Sequence, residues 1–186
     1  FDRGEELDIK TKNEKLESIR TKKRSLDPNS NEYVKLSKDE QELGVGVLDI
    51  GGGTADLALY QQGNIRHTMV LPIAGNHFTH DLAVGLKTTI AEAERIKQIY
   101  GLCHAKYVNQ EKIISYSSLD GNSILHAKSS DILRILHPRA QELLSIVHDE
   151  ICKYKLHTFM PSGLVITGGG SLLPGIQELA QEIFKT

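Results

Sequence analysis

Two glycine triplets, each directly after a short apolar run, constrain the fold of this 186-residue chain more than any other feature. The first glycine turn, residues 51–53, follows the run at 44–50, and the second glycine turn, residues 168–170, follows the run at 163–167. An apolar run that stops at clustered glycines is typical of a buried strand entering a tight turn. The sequence therefore predicts two buried strands whose turns a ligand can approach closely, because glycine has no Cβ atom.

The segment around the first glycine turn predicts an antiparallel meander. Strand-like runs at 55–60 and 65–71 follow the run at 44–50, and only short turns separate them. Three strands with such short connections pair with their neighbours. A separate hairpin is predicted further on, where apolar residues flank the Asp120-Gly121 pair.

Apolar residues at helical spacing predict the helices. Asn76 is a candidate cap for one of them, and Thr89 starts the next with a Thr-x-x-Glu capping pattern. We expect a short helix at 130–136 and a separate helix that begins at Pro138, since proline suits a first helical turn. A last helix is expected to begin near Pro174. The order of strands and helices predicts an α/β fold.

The first 35 residues differ in composition from the rest. Half of the first forty residues are charged, with as many acids as bases, and their apolar residues are too sparse for a core face. We expect a mobile arm at 1–35, in which 11–25 could form a solvated helix that Pro28 and its polar neighbours end. The alternative is that the basic cluster at 22–24 touches an anionic surface, although nearby acids offset it.

Charge and composition exclude several classes of protein. The net charge is −2 and the pI is near 6.5, which argues against general nucleic-acid binding. No apolar run reaches the roughly 18 residues that can span a bilayer. The two cysteines, Cys103 and Cys152, are too few for a disulfide scaffold, and we expect a cytoplasmic protein.

The first glycine turn carries the clearest candidate chemistry. Gly51, Gly52 and Gly53 allow successive backbone N–H groups to line one concavity, which suits phosphate oxygens. Asp49, at the end of the predicted strand, can hold a metal-bound water near those oxygens. Thr54 can add a hydroxyl donor.

The second glycine turn suits a different part of a ligand. There glycine allows a flat group, such as a base or a ribose, to approach the backbone. The candidate residues are Gly168, Gly169, Gly170 and Ser171. Either turn alone could be a tight turn without a ligand, but two of them in one small domain favour a nucleotide. Neither a P-loop nor a dinucleotide-binding glycine motif is present.

Several segments resemble known motifs. Asp-Ile-Gly-Gly-Gly-Thr-Ala-Asp at 49–56 resembles the second phosphate loop of the actin-like ATPase superfamily, and Thr-Gly-Gly-Gly-Ser at 167–171 resembles its adenosine loop. The helix segment at 93–97 is similar to one that contacts ribose and adenine in bacterial actins. Four further segments resemble one family, the FtsA family of cell-division actin homologues: 36–44, 66–68, 74–76 and 137–139.

The resemblance implies a fold and a nucleotide. FtsA proteins have ribonuclease-H-like halves, bind ATP and Mg between them, polymerise, and tether the FtsZ ring to the membrane. Residues 36–186 would form the half called IIA, with an antiparallel meander, parallel βα units and a small inserted subdomain, IIB, at about 87–136. Glu94 and Lys97 would contact the nucleotide; the alternative is an exposed helical pair.

The resemblance also implies a partner. Arg139 falls at the family position, at the start of a IIB helix, that grips the acidic C-terminal tail of FtsZ. Its guanidinium fork suits carboxylates; the alternative is a solvated residue in an unfavourable first helical turn. Other division proteins or FtsA-like subunits are further candidate partners. The family implies a location at the division site, on the inner face of the cell membrane.

The chain also departs from the family pattern. No first phosphate loop is found, and a clamp with one loop missing should be a poor catalyst of phosphoryl transfer. The family's amphipathic membrane helix is not found either, so we expect no direct membrane contact from this chain. The sequence looks like a truncated FtsA-like protein. The alternatives are another actin-fold ATPase, of the sugar-kinase or chaperone type, that needs a separate first half, or an inert fragment.

Overall fold

A five-stranded mixed sheet forms the centre of the molecule. The computed structural model describes residues 20–21 and 36–184. The sheet has the strand order β1-β7-β2-β3-β4. Its strands are β1 (Arg20–Thr21), β2 (Val45–Ile50), β3 (Ala55–Gln61), β4 (Asn64–Leu71) and β7 (Leu164–Thr167).

The sheet combines antiparallel and parallel pairing. Strands β2, β3 and β4 pair antiparallel, which confirms the predicted meander. Strand β7 runs parallel to β2 on the other side, with Asp49 opposite Thr167. Because parallel strands end at the same edge, the two glycine turns leave the sheet side by side. The predicted hairpin is also confirmed, as β5 (Ile113–Ser117) paired antiparallel with β6 (Ile124–Lys128).

One hydrophobic core joins the sheet to the helices. The helices are α1 (Lys38–Leu43), α2 (Gly75–Leu86), α3 (Ile90–Tyr100), α4 (Ser129–Lys153) and α5 (Ile176–Phe184). Leu48 and Leu57 are opposite each other on the core face of β2 and β3. They belong to the same buried cluster as Leu144 and Val147 of α4.

The predicted N-cap of α2 is wrong, and the predicted N-cap of α3 is confirmed. Helix α2 begins two residues earlier than predicted, and Ala74 rather than Asn76 is its cap. The ring nitrogen Nδ1 of His77 accepts the backbone N–H of Ala74 at 3.3 Å, as the third helical residue does in a capping box. In α3 the prediction is confirmed, since the hydroxyl of Thr89 accepts the N–H of Glu92 at 3.2 Å.

The predicted break before Pro138 is wrong, because α4 runs through it for 25 residues. A proline removes one helical hydrogen bond and usually kinks a helix. Here the buried face continues at helical spacing on both sides, from Ile132 and Leu136 to Ala140 and Leu143. Burial of this face holds the two parts in one helix, and Pro138 lies on the exposed side. Arg139 is therefore in the middle of α4 and not in a first turn.

Two predictions concern regions that the structure covers only in part. Arg20 and Thr21 pair with β7 as a parallel strand, so the expected helix at 11–25 is wrong at these two positions. The mobile arm expected at 1–35 stays a prediction. The rest of 1–35, including the basic cluster at 22–24, lies outside the described residues. The inserted subdomain at about 87–136 stays a prediction; that range contains α3, the β5–β6 hairpin and the first turns of α4.

Candidate functional site

The second glycine turn packs against the end of β2, directly before the first glycine turn. Gly168 has a φ of +82°, and a Cβ atom there would overlap Oδ1 of Asp49 and lie 2.5 Å from the carbonyl oxygen of Ile50. A Cβ at Gly170 would overlap the side chain of Ile50. Only glycine allows the second turn to lie this close to the end of β2. The structure thus brings together the two groups of residues that the sequence analysis selected.

Part of each turn faces open space. Gly52, Gly53 and Gly169 are exposed. Within the described residues, nothing lies within 4 Å of a Cβ built at Gly53 or Gly169. A ligand group could therefore reach the backbone of both turns without moving a side chain.

The first glycine turn is anchored on one side and has free donors on the other. The N–H of Gly51 donates to the carbonyl oxygen of Thr54, at 2.9 Å, which closes the turn. The N–H groups of Gly75 and Asn76 donate to the carbonyl oxygens of Gly51 and Gly52, at 2.9 and 2.7 Å. The N–H groups of Gly52, Gly53 and Thr54 make no hydrogen bond to any residue that the structure describes. These three amides are available to an anion.

The hydroxyl groups of two candidate site residues have partners within the chain. Thr54 Oγ1 donates to Asp56 Oδ2 at 3.0 Å. Ser171 Oγ is buried and donates to the carbonyl oxygen of Gly168 at 2.7 Å. Both hydroxyls brace the turns in this structure, so the anion donors there are backbone groups.

Asp56 is a neighbour of the site that the sequence analysis did not select. It is directly opposite Asp49 in the β2–β3 register, and both residues are exposed. Strand alternation puts both carboxylates on the face opposite the core. The sequence contained two indications of this residue. Asp56 alternates with the buried residues of β3, and it lies within the motif at 49–56. In residues 20–21 and 36–184 no group of three or more His, Cys, Asp or Glu residues is placed to hold a metal ion.

Glu94 and Lys97 of α3 are linked to the first glycine turn. Lys97 Nζ is 2.7 Å from Glu94 Oε2 and donates to the carbonyl oxygen of Gly75 at 3.0 Å. Gly75 in turn donates to the first glycine turn. Partial burial by itself would raise the pKa of Glu94, but hydrogen bonds from Lys97 and Thr79 outweigh it and hold that pKa below its ordinary value.

Arg139 makes its contacts elsewhere, between α2 and α4. Its Nε and Nη2 atoms donate to the two carboxylate oxygens of Asp81, at 2.7 and 3.1 Å. Its Nη1 atom donates to Glu142 Oε2 at 2.6 Å. The guanidinium is about a quarter exposed, with 26% of its side chain accessible. The alternative of a free, solvated residue in a first turn is therefore wrong.

The fold alone defines the class of protein to which this chain belongs. A meander paired through β2 to a parallel strand, with glycine turns at the shared edge, is one half of an actin-like fold. Two solved structures of MreB5 from Spiroplasma citri share it. The ADP-bound form has a TM-score of 0.68 at 23% identity, and the AMPPNP-bound form has 0.66 at 25%. Each alignment covers 79% of this chain and 48% of the other.

The chain belongs to the FtsA family. The family model described as "Cell division protein FtsA" matches residues 46–186. FtsA of Pseudomonas aeruginosa is 38% identical over 152 residues, which cover 82% of this chain and 36% of the relative. FtsA of Bacillus subtilis is 34% identical over 150 residues, or 81% and 34% of the two chains. The chain thus spans about a third of the length of these relatives.

This membership confirms the predicted resemblance, and the MreB5 structures confirm the actin-like α/β fold. None of the helices within residues 36–184 is long and apolar enough to cross a membrane.

Proposed function

We propose that this chain supplies one half of an ATP site in an FtsA-type division protein. The observation that carries the proposal is that both glycine turns leave the sheet at the shared edge of β2 and β7, where the second turn packs against the end of β2. The amides of Gly52, Gly53 and Thr54 would bind phosphate oxygens, and the open backbone at Gly169 would face the base or ribose. The ADP-bound and AMPPNP-bound MreB5 structures have the same fold, which supports a nucleotide here.

The acidic residues beside the first glycine turn fit a magnesium ion. Mg²⁺ usually binds one or two carboxylates, keeps several waters and contacts substrate phosphates. Asp49 would hold it through a water, and Asp56 stands opposite on the same face. The ion would neutralise phosphate charge. In this proposal the two carboxylates supply negative charge beside the first glycine turn, close to its free N–H groups.

We expect nucleotide binding without turnover by this chain alone. Phosphoryl transfer depends on positioning and on charge stabilisation from all sides of the phosphate. The groups that this chain supplies would contact the phosphates from one side only. A second, matching half would have to contribute the rest.

A titration with a fluorescent ATP analogue tests the proposed half-site. Gly53→Asp should weaken binding at least tenfold, because it puts a carboxylate beside the phosphates at a position with room for a side chain. Gln110→Glu, in an exposed loop, adds the same charge elsewhere and should change nothing. Equal affinity for both variants and the unmodified chain would refute the site.

The second part of the proposal is that Arg139 docks the acidic C-terminal tail of FtsZ. Arginine has five N–H donors in a planar fork, and three of its nitrogens already donate to Asp81 and Glu142. Asp81 accepts two hydrogen bonds from one edge of the guanidinium and is only about a quarter exposed. Glu142 makes a single bond and is half exposed. We infer that Asp81 orients the guanidinium and that a tail carboxylate replaces Glu142.

Fluorescence anisotropy of a labelled FtsZ C-terminal peptide tests the docking. Arg139→Glu should abolish saturable binding, while Arg134→Glu, an exposed arginine on the same helix, should keep it. Glu142→Gln should strengthen binding about tenfold, because it removes the competing carboxylate. Loss of binding in both arginine variants would indicate only non-specific charge attraction.

The family's description as a cell division protein supports a location at the division site. By that reasoning we propose that this chain acts at the inner face of the cell membrane, with FtsZ as its first partner. Other division proteins and FtsA-like subunits are further candidates.

A further inference from the structure

The segment that follows α3, residues 101–107, lies against the chain just after the second glycine turn. We call this segment the strap. The N–H of Cys103 donates to the carbonyl oxygen of Pro174 at 2.9 Å. A Cβ atom built at Gly175 would overlap the Cβ atom of His104. The strap is therefore packed closely against the residues that join the second glycine turn to α5.

Two acidic side chains of α5 hold the strap. Glu178 Oε1 accepts from Tyr107 Oη at 2.5 Å and from Lys106 Nζ at 2.9 Å. His104 Nε2 donates to Glu182 Oε1 at 2.9 Å, because the other ring nitrogen, Nδ1, accepts the N–H of Lys106 at 3.2 Å. Partial burial alone would raise the pKa of Glu178, but the hydrogen bonds from Tyr107 and Lys106 outweigh it and hold that pKa below its ordinary value. Glu178 is thus charged at neutral pH and keeps both bonds.

The strap connects the two sides of the proposed base and ribose site. One side is the open backbone at Gly169, and the other is α3, whose Glu94 and Lys97 the family resemblance assigns to the nucleotide. Helix α3 runs directly into the strap. His137 Nδ1 of α4 also donates to the carbonyl oxygen of Cys103, at 2.8 Å. The separation of α3 from the second glycine turn therefore depends on how firmly the strap is held to α5.

We propose that Glu178 and Tyr107 are positioning residues for the base and ribose of the nucleotide. They hold the strap to α5 and thereby set the separation between α3 and the second glycine turn. The phosphates would bind at the first glycine turn, so only the nucleoside part of the affinity should depend on the strap. This inference rests on the proposed nucleotide site for its effect on affinity, but its structural part does not.

Cys103 reports whether the strap is closed. Its thiol is buried, and its Sγ atom lies 3.6 Å from the carbonyl oxygen of Pro174. Burial, and to a smaller extent the charge of Glu178, raises the pKa of this thiol to about 12. A thiol reagent should therefore attack Cys103 only when the strap opens or the chain unfolds.

Reaction with dithiobis(nitrobenzoate) in a Cys152→Ser background tests the structural part. Tyr107→Phe should speed the reaction of Cys103 about fivefold, because it removes one of the two hydrogen bonds to Glu178. The variant keeps the charge of Glu178, so a faster reaction cannot come from a lower thiol pKa. Tyr154→Phe, at an exposed tyrosine directly after α4, is the matched control and should leave the rate unchanged.

Urea unfolding separates opening of the strap from general destabilisation. If Tyr107→Phe speeds the reaction only by the factor by which it raises the unfolded fraction, Cys103 reacts from the unfolded chain and the inference is wrong. An unchanged rate would refute it as well. Should Tyr107→Phe not fold, Lys106→Met removes the other hydrogen bond to Glu178 and should give the same faster reaction.

Displacement of the fluorescent ATP analogue tests the functional part. Glu178→Gln should weaken the affinity for ATP about fivefold and leave the affinity for inorganic tripolyphosphate unchanged. Glu111→Gln, in an exposed loop, makes the same substitution elsewhere and should change neither. Equal weakening for both ligands would indicate a change at the first glycine turn and refute the positioning role.

The coupling between the strap and the base should also act in the other direction, because linkage between two sites is reciprocal. Saturating ATP should slow the reaction of Cys103 in the Cys152→Ser chain about fivefold, and tripolyphosphate should not. The same rate with and without ATP, in a chain that binds ATP, would show that the strap is not coupled to the base.

The two proposals fail in distinguishable ways. If the unmodified chain binds neither ATP nor tripolyphosphate, the proposed half-site is wrong, while the reaction rate of Cys103 still decides whether Tyr107 and Glu178 hold the strap. If the chain binds both ligands and Glu178→Gln changes neither affinity, only the positioning role is wrong.

Discussion

Gly168 and Gly169 are adjacent residues that should respond oppositely to alanine. Gly168 has φ +82° and ψ 176°, a backbone region that is essentially restricted to glycine. An alanine Cβ there would overlap Asp49 Oδ1 and lie 2.5 Å from the backbone oxygen of Ile50. Gly169 has no positive φ, and no described atom lies within 4 Å of its Cβ position.

The expected cost at Gly168 has two parts. The backbone conformation costs about 1 to 3 kcal/mol for a residue with a side chain. Overlap with a backbone carbonyl, which cannot rotate away, adds about 1 to 3 kcal/mol. Gly168→Ala should therefore lower the free energy of unfolding by about 2 to 6 kcal/mol, and Gly169→Ala should change it by less than about 1 kcal/mol.

Thermal and urea unfolding of the two variants measure this difference. A chain of this size loses about 2 to 4 °C of Tm per kcal/mol, so Gly168→Ala should melt at least about 4 °C lower. Circular dichroism at 222 nm follows the transition. Equal Tm values for the two variants would refute the reasoning, because they would mean that the second glycine turn does not press against the end of β2.

Three further predictions concern the metal, the cysteines and the core. Asp49→Asn should remove the dependence of nucleotide affinity on Mg²⁺; an unchanged dependence would exclude Asp49 as the anchor of the ion. Cys103 is buried, which raises the pKa of its thiol to about 12, whereas Cys152 is exposed. An alkylating reagent near pH 8 should therefore label Cys152 alone in the folded chain, and mass spectrometry of peptides would reveal any label on Cys103. Leu144→Ala, at a fully buried position in α4, should cost about 2 to 5 kcal/mol in urea unfolding, and a loss below 1 kcal/mol would contradict the described core.

Sequence reasoning succeeded where the evidence is local. The meander, the hairpin at Asp120 and the cap at Thr89 follow from alternation, turn residues and a three-residue spacing. It failed at Pro138, where local chemistry favours a helix start. There the buried apolar face of α4 outweighs the lost hydrogen bond, and that burial depends on elements distant in the chain.

The same distinction between local and tertiary evidence applies to the residues of the candidate site. Sequence spacing selected both glycine turns, and their position side by side depends on the parallel pairing of β2 with β7. Asp56 was visible in the motif, but its place opposite Asp49 required the strand register.

By itself, the sequence determined the order of elements, the two glycine turns and the family, because each depends on residues close together in the chain. Only the tertiary structure decided which groups meet. It paired Arg139 with Asp81 of another helix and put Thr79 between Lys97 and Glu94. Such partners lie on separate elements, and packing of the core sets the distances between them.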